Sequence, residues 1–262
     1  MALNIDLQGR RALVTGVTDG IGVGISKRLA QAGCDIAGCG RRAEDSPQAQ
    51  AFIHLVESHG RRASYLSADL SAKNGPAEFA AFAIESLGGL DIVVSNAGRN
   101  IFEGVNDCDE AQWNACIELD LASHWRLGRS TQSALANGSD SVFIINSSNH
   151  AFSTLPGCFP YNVAKAGLVA MVQSMALEWG PNTRAVGIAP GFIDTPGGDT
   201  WFASFPDPAE KRGEVERAHP VGRIGTPEEI GGLCAFLASA DAAFINGTTI
   251  LIDGGHGAHM GW

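Results

Sequence analysis

Tyr161 and Lys165 stand four residues apart in SSNHAFSTLPGCFPYNVAKAG, the stretch from Ser147 to Gly167. Residues at that spacing share one face of a helix, one turn apart. A free tyrosine titrates at about 10, too high for an efficient base near neutrality. An ammonium alongside favours the phenolate and pulls that value down. The pair could therefore take a proton from a reacting oxygen or return one. Alone, YNVAK also reads as an ordinary helix start, with the tyrosine packed and the lysine solvated. The rest of the chain has to decide between them.

The chain has 262 residues, 45% hydrophobic and 18% charged, enough for one large α/β domain over 1–262. A net charge of −10 argues against a nucleic-acid binder or an electrostatic membrane anchor, both of which need a basic face. MALNIDLQGRR lacks the apolar core of a signal peptide, and no apolar run is long enough to span a bilayer. The six cysteines are scattered without paired spacing, which points to reduced thiols in a cytoplasmic protein and to no metal site.

Short apolar runs alternate with helical patterns. Strands are expected at Arg11–Val14, Asp35–Cys39, Ala63–Leu66, Leu90–Ser95, Ser141–Asn146, Ala185–Ala189 and Thr249–Ile252. Helices are expected at Ile21–Ala32 and Ser46–His59. This alternation predicts a Rossmann-like, doubly wound parallel sheet of seven strands with helices on both faces. Ligands bind such sheets beyond the strands' C-terminal ends. The stretch 191–227, rich in proline, glycine and aromatics, reads as a substrate loop or lid; a surface excursion is the alternative.

Two strand ends point to a dinucleotide. VTGVTDGIG (Val14–Gly22) joins the first strand to the first helix, where glycines let backbone approach a phosphate. After the second strand comes Cys39-Gly40-Arg41-Arg42, with no acid to bind a ribose hydroxyl. Arginine forks onto phosphate, so Arg41 favours NADP over NAD, although the charge of Asp19 in the glycine turn counts against a further phosphate.

Together these residues resemble the short-chain dehydrogenases/reductases, in the branch of single-domain chains of about this length, over nearly the whole sequence. The motifs are Thr15-Gly16-x-x-x-Gly20-Ile21-Gly22, Asp69-Leu70, Asn96-Ala97-Gly98, Ser148, Tyr161-x-x-x-Lys165, Pro190-Gly191 and Asp253-Gly254-Gly255. The resemblance implies a nicotinamide cofactor across the strand ends. Asp69 would accept from the adenine amino group and Leu70 lend a backbone contact. Asn96 and Gly98 would support the adenosine ribose side, and Ile193 and Thr195 the carboxamide and phosphates. It implies hydride transfer between cofactor and a secondary alcohol or carbonyl, with Tyr161 as general acid/base. Lys165 would also hold the nicotinamide ribose. Ser148 would hydrogen-bond the substrate oxygen, with Ser147 as the adjacent alternative. The family's usual homotetramer is expected too.

One departure stands out. The family usually carries an asparagine in the long helix matching Trp113–Leu127, where it keeps the helix kinked and its backbone carbonyl holds a relay water. Here Asp120 occupies that place, adding a negative charge near Lys165. Asp120 is kept in the relay.

Arg99, Asn100, Asn149, His150 and the Trp201/Phe202/Phe205 segment are expected around the substrate. The polarity of the first four and the likeness to bacterial sugar dehydrogenases favour a sugar or polyol hydroxyl. Arg99 suits an anionic group such as a carboxylate, or else is a solvated rim charge. Reduction of a 3-oxoacyl thioester or other ketone is the alternative. A catalytically impaired dinucleotide-binding sensor or scaffold is the alternative of another class.

Overall fold

The computed structural model describes residues 5–138 and 140–258. Among them nine strands form: β1 (Arg11–Thr15), β2 (Asp35–Gly40), β3 (Ala63–Ser67), β4 (Ile92–Ser95), β5 (Phe102–Glu103), β6 (Ser141–Asn146), β7 (Phe159–Pro160), β8 (Thr183–Pro190) and β9 (Thr249–Ile252). The helices are α1 (Gly20–Ala32), α2 (Pro47–Glu57), α3 (Gly75–Leu87), α4 (Glu110–Ile117), α5 (Ser123–Ala136), α6 (Tyr161–Trp179), α7 (Pro196–Phe202), α8 (Pro208–Ala218) and α9 (Pro227–Ala238).

Seven strands join in one parallel sheet, ordered β3-β2-β1-β4-β6-β8-β9. The inner strands β1, β4, β6 and β8 are buried on both sides because both sides are covered. In β1, Ala12 and Val14 enter one core and Leu13 the other. Ile92 and Val94 against Val93, then Val142 and Ile144 against Phe143 and Ile145, repeat that alternation. Leu29, Phe52 and Ile230 of α1, α2 and α9 close the first face. Phe79, Leu127 and Leu168 of α3, α5 and α6 close the second. The chain winds outward to β3, then returns to the other side of β1. That reversal opens a crevice between the ends of β1 and β4.

One strand boundary is corrected and two further expectations gain detail. The strand expected from Leu90 begins at Ile92, after Asp91 has set its carboxylate on the Arg11 backbone N–H, Nε and Nη2, each at 2.9 Å. The weakly periodic stretch after Gly191 holds two helices. Thr195 and Asp207 cap α7 and α8 through Gly198 N–H and Glu210 N–H, with Pro196 and Pro208 in the first turns. Arg212 on α8 then pairs with Asp194 at 3.1 Å and Asp199 at 2.7 Å. The stretch Trp113–Leu127 is also not one uniform helix. A π turn over Glu118–Ala122 separates α4 from α5, and the Ser123 N–H reaches back to the Glu118 carbonyl. The two-residue β5 and β7 pair as a separate antiparallel ribbon. Among the described residues no helix is long and apolar enough to cross a membrane.

Candidate active site

The turn from β1 into α1 is set by backbone. Gly16 and Gly20 take φ of +73° and +54°, and a Cβ on Gly22 would stand 1.9 Å from the Gly16 carbonyl oxygen. Asp19 caps α1, its Oδ1 accepting from Gly20 N–H at 2.6 Å. Ile21 and Gly22 lie in the first turn, whose N–H groups have no partners within the helix. Thr15 Oγ1 accepts from the Asn96 and Ala97 N–H groups, both at 2.8 Å, which locks the ends of β1 and β4 together. Asn96 returns a bond from Nδ2 to the Thr15 carbonyl at 2.9 Å.

The segment after β8 reaches the same turn. A Cβ on Gly20 would meet Thr195 Cγ2 at 3.3 Å, so the missing side chain leaves a cradle between the helix N-terminus and Thr195. Pro190 ends β8, Gly191 packs on Asp253, and Ile193 bridges to Gly225. Gly254 and Gly255 follow in positive-φ turns. Asp69 follows β3 beside Leu70. Its Oδ1 accepts from Ser71 N–H and Oγ, and these bonds, foremost the hydroxyl's, hold its carboxyl below the usual range. Arg41 and Arg42 stand exposed after β2, their side chains in no hydrogen bond or ion pair with the described residues. A glycine cradle at a helix N-terminus, a carboxylate after β3 and two guanidinium groups uncommitted among the described residues fit a phosphorylated dinucleotide.

At the end of β6 the site is made of side chains. Tyr161 opens α6 and Lys165 follows one turn later, its Nζ 5.4 Å from the phenol ring centroid. Nζ donates to the Asn146 carbonyl at 3.3 Å and lies 3.6 Å from Asp120 Oδ1, with the two side chains 4% and 0% exposed. Asp120, in the π turn, also accepts from Arg99 N–H at 2.9 Å. A Cβ on Gly98 would stand 2.5 Å from Asp120 Oδ1 and 3.2 Å from Lys165 Nζ. The helix is thus interrupted with aspartate in place of asparagine, and the carboxylate itself faces the lysine.

Burial pushes the Asp120 carboxyl up, against the pull of Lys165 and the Arg99 N–H. Cys116 Sγ sits 3.9 Å from Asp120 Oδ2, and burial, then that charge, push its thiol up to about 12. The phenol departs from the sequence expectation. Lys165 and the Ser148 hydroxyl do pull Tyr161 down, but burial outweighs both and Asp120 adds to it, so its pKa is raised. Deeper still, His124 Nδ1 meets Ser95 Oγ at 2.7 Å, and burial keeps that histidine neutral.

The two serines separate clearly. Ser147 Oγ donates to the Lys165 carbonyl at 2.8 Å, whereas the Ser148 hydroxyl is the one that helps to pull the phenol's pKa down. Phe102 packs edge-on against the phenol ring at 5.2 Å and His150 at 6.1 Å. Beside them lies an open cleft of about 580 Å³ lined by Arg99, Asn100, Phe102, Glu103 and Gln112 among others. The Arg99 side chain has no hydrogen bond or ion pair with the described residues. Asn149 is turned to His256 instead, and Trp201 packs within its own segment on Phe192, Phe202 and Phe205. The sequence reading quoted Thr15 in a motif without giving it a role, and missed Asn146 and His256. Asn146 directly precedes the Ser147–Gly167 stretch, whereas nothing in the sequence links His256 to Asn149.

A family model described as enoyl-(acyl carrier protein) reductase matches residues 16–257. Human Dehydrogenase/reductase SDR family member 4 is 31% identical over 95% of this chain and 88% of its own length. The chain belongs to the short-chain dehydrogenase/reductase family. Within it, the 2-dehydro-3-deoxy-D-gluconate 5-dehydrogenase of Dickeya dadantii is 31% identical over 97% of this chain and 98% of its own. The 3beta-hydroxysteroid dehydrogenase 1 of Eggerthella lenta is 30% identical over 98% and 97%. A putative short-chain alcohol dehydrogenase from Sinorhizobium meliloti superposes with a TM-score of 0.91 at 32% identity, covering 98% of this chain and all of that one. A short-chain dehydrogenase of Burkholderia cenocepacia in complex with NADP gives 0.85 at 28%, covering 95% and 98%. This short-chain dehydrogenase/reductase acts on CH–OH groups with NAD(P).

Proposed function

We propose that this enzyme oxidises a secondary hydroxyl of a sugar, sugar acid or polyol, with Tyr161 as the proton acceptor. The observation that carries the reading is the cleft lined in part by Phe102, which packs on the Tyr161 ring; there Arg99, Asn100, Glu103 and Gln112 give polar partners that a steroid or acyl chain would not need. Arg99, without an ion pair among the described residues, suits a substrate carboxylate. The Dickeya relative's name, a sugar-acid dehydrogenase, supports the same class.

In this mechanism a bound nicotinamide supplies the hydride acceptor. Ser148 donates a hydrogen bond to the substrate oxygen and fixes it beside the phenol. Tyr161, as phenolate, takes the hydroxyl proton as the carbon–hydrogen bond breaks, and the hydroxyl becomes a carbonyl. Lys165 stabilises the phenolate and holds the ribose, and Asp120 keeps the ammonium in place. Gly16, Gly20, Ile21, Gly22, Asn96, Gly98, Gly191, Ile193 and Thr195 hold the dinucleotide, with Asp69 and Leu70 at the adenine. NADP is favoured over NAD by Arg41 and by the Burkholderia complex. Asp19 opposes it less than its charge suggests, because its carboxylate caps Gly20 at a helix N-terminus.

We further propose a homotetramer, supported by exposed Trp125 on α5 and Val163 on α6, and a cytoplasmic setting, supported by six free thiols. A second reading, reduction of a 3-oxoacyl thioester, draws on the description of the matching family model and on the apolar half of the cleft, Ile101, Phe102, Ala111 and Ala115. One experiment separates the two. Sugars, sugar acids and polyols are offered with NADP or NAD, and 3-oxoacyl thioesters with the reduced cofactors, followed by nicotinamide absorbance. Turnover of a sugar or sugar acid is expected, and turnover of thioesters alone overturns the first reading.

A further inference from the structure

Beside Ser148 an amide and two histidines from distant parts of the chain come together. Ser148 Oγ lies 3.4 Å from Asn149 Oδ1 and accepts from His150 N–H at 3.2 Å. The other end of the same amide, Nδ2, lies 3.2 Å from Nδ1 of His256, in the 3₁₀ turn after β9. The His256 ring stacks on His219, with centroids 4.8 Å apart and planes inclined by 30°. His219, only 2% exposed, sets its Nδ1 at 2.7 Å from the Val215 carbonyl in the last turn of α8.

These contacts fix protons. As the Asn149 amide is placed, its nitrogen faces His256 Nδ1; donation there makes Nδ1 the acceptor, and a neutral ring then carries its proton on Nε2. A carbonyl only accepts, so His219 carries its proton on Nδ1. That orientation of the Asn149 amide presents Oδ1 to Ser148. The reversed amide would require the Nδ1–H form of His256 and would offer Ser148 a donor. A serine hydroxyl has one proton and rotates to suit its neighbours. Here an acceptor stands on the Asn149 side and a donor on the His150 side, so the amide competes with the phenol for the proton and its direction is set from outside the serine.

We propose that Asn149 and His256 are a positioning pair that aims the Ser148 hydroxyl, and that His219 ties the pair to the end of α8. The inference rests on the reading of Ser148 as the group that bonds the substrate oxygen. Neither Asn149 nor His256 is assigned contact with the reacting atoms. At 3.4 Å the serine–amide bond is long enough for a substrate oxygen to take the proton over without a large loss.

The first test needs no substrate. In enzyme labelled with ¹⁵N at histidine, two-bond proton–nitrogen correlation spectra report each ring's tautomer. His256 is expected as the Nε2–H form and His219 as the Nδ1–H form, and Asn149→Ala should turn His256 into a mixture. An Nδ1–H form of His256 in the wild type, or one unmoved by Asn149→Ala, overturns the pair. The second test uses the member of the sugar and thioester panel that is turned over. His256→Phe should lower kcat about tenfold, His256→Gln should restore most of it through its own acceptor oxygen, and in a Ser148→Ala background His256→Phe should change nothing. Equal losses in both backgrounds overturn the pair while leaving Ser148 in its role. Full activity of Ser148→Ala alone overturns the serine reading instead.

Discussion

At the end of β1 the site is built from backbone. Gly16 and Gly20 take positive φ, Gly22 leaves no room for a Cβ, and the one charged group, Asp19, is spent on capping α1. At the end of β6 it is built from side chains with almost no exposure: Tyr161, Lys165, Asp120 and Cys116, each shifting or pairing with another. The first region fails when atoms are added, because its shape is its function. The second is retuned when a charge changes, because buried charges act on one another through little screening. Shape and charge are thus placed in separate regions of one crevice.

Tyr161→Phe should give the largest effect, lowering kcat about 10³-fold while a fluorescence titration finds the cofactor Kd unchanged. Loss of cofactor binding as well would mean the two regions are not separate. Gly22→Ala should do the reverse, costing about 3 kcal/mol of stability in denaturant unfolding and weakening cofactor binding, since its methyl meets the Gly16 carbonyl. Replacing Arg41 and Arg42 together by alanine should raise the Kd for NADP about tenfold and leave that for NAD unmoved, read by calorimetry.

Asp120→Asn should be smallest and purely electrostatic. Burial, and then Asp120, hold the phenol up, so removing the carboxylate charge lowers its pKa. Oxidation requires phenolate, and the acid limb of the kcat profile should move to lower pH, with turnover near neutrality retained or raised. A near-total loss of turnover would mean that the carboxylate itself is required.

The sheet was legible because β1, β4, β6 and β8 are buried on both faces and so read as continuous apolar runs. The ribbon of Phe102–Glu103 with Phe159–Pro160 was not, since two residues carry no periodicity. α7 and α8 were hidden by the prolines that open them, although Thr195-Pro196 and Asp207-Pro208 are helix-start signals. At the site, Tyr161 and Lys165 were legible from helical spacing. The rise of the phenol's pKa was not, because burial depends on Phe102 and the π turn packing around it from elsewhere in the chain. Asn149 and His256 meet only through the fold, 107 residues apart.

Gly98 gives the charge at position 120 an evolutionary setting. Any larger residue at 98 would collide with the side chain at 120 and with the lysine beyond it. Asparagine and aspartate are nearly isosteric, so a lineage can pass between them in one substitution without repacking its neighbours. A change of charge at 120 can therefore retune the working pH while the backbone keeps its path, whereas a side chain at 98 must first displace the group at 120.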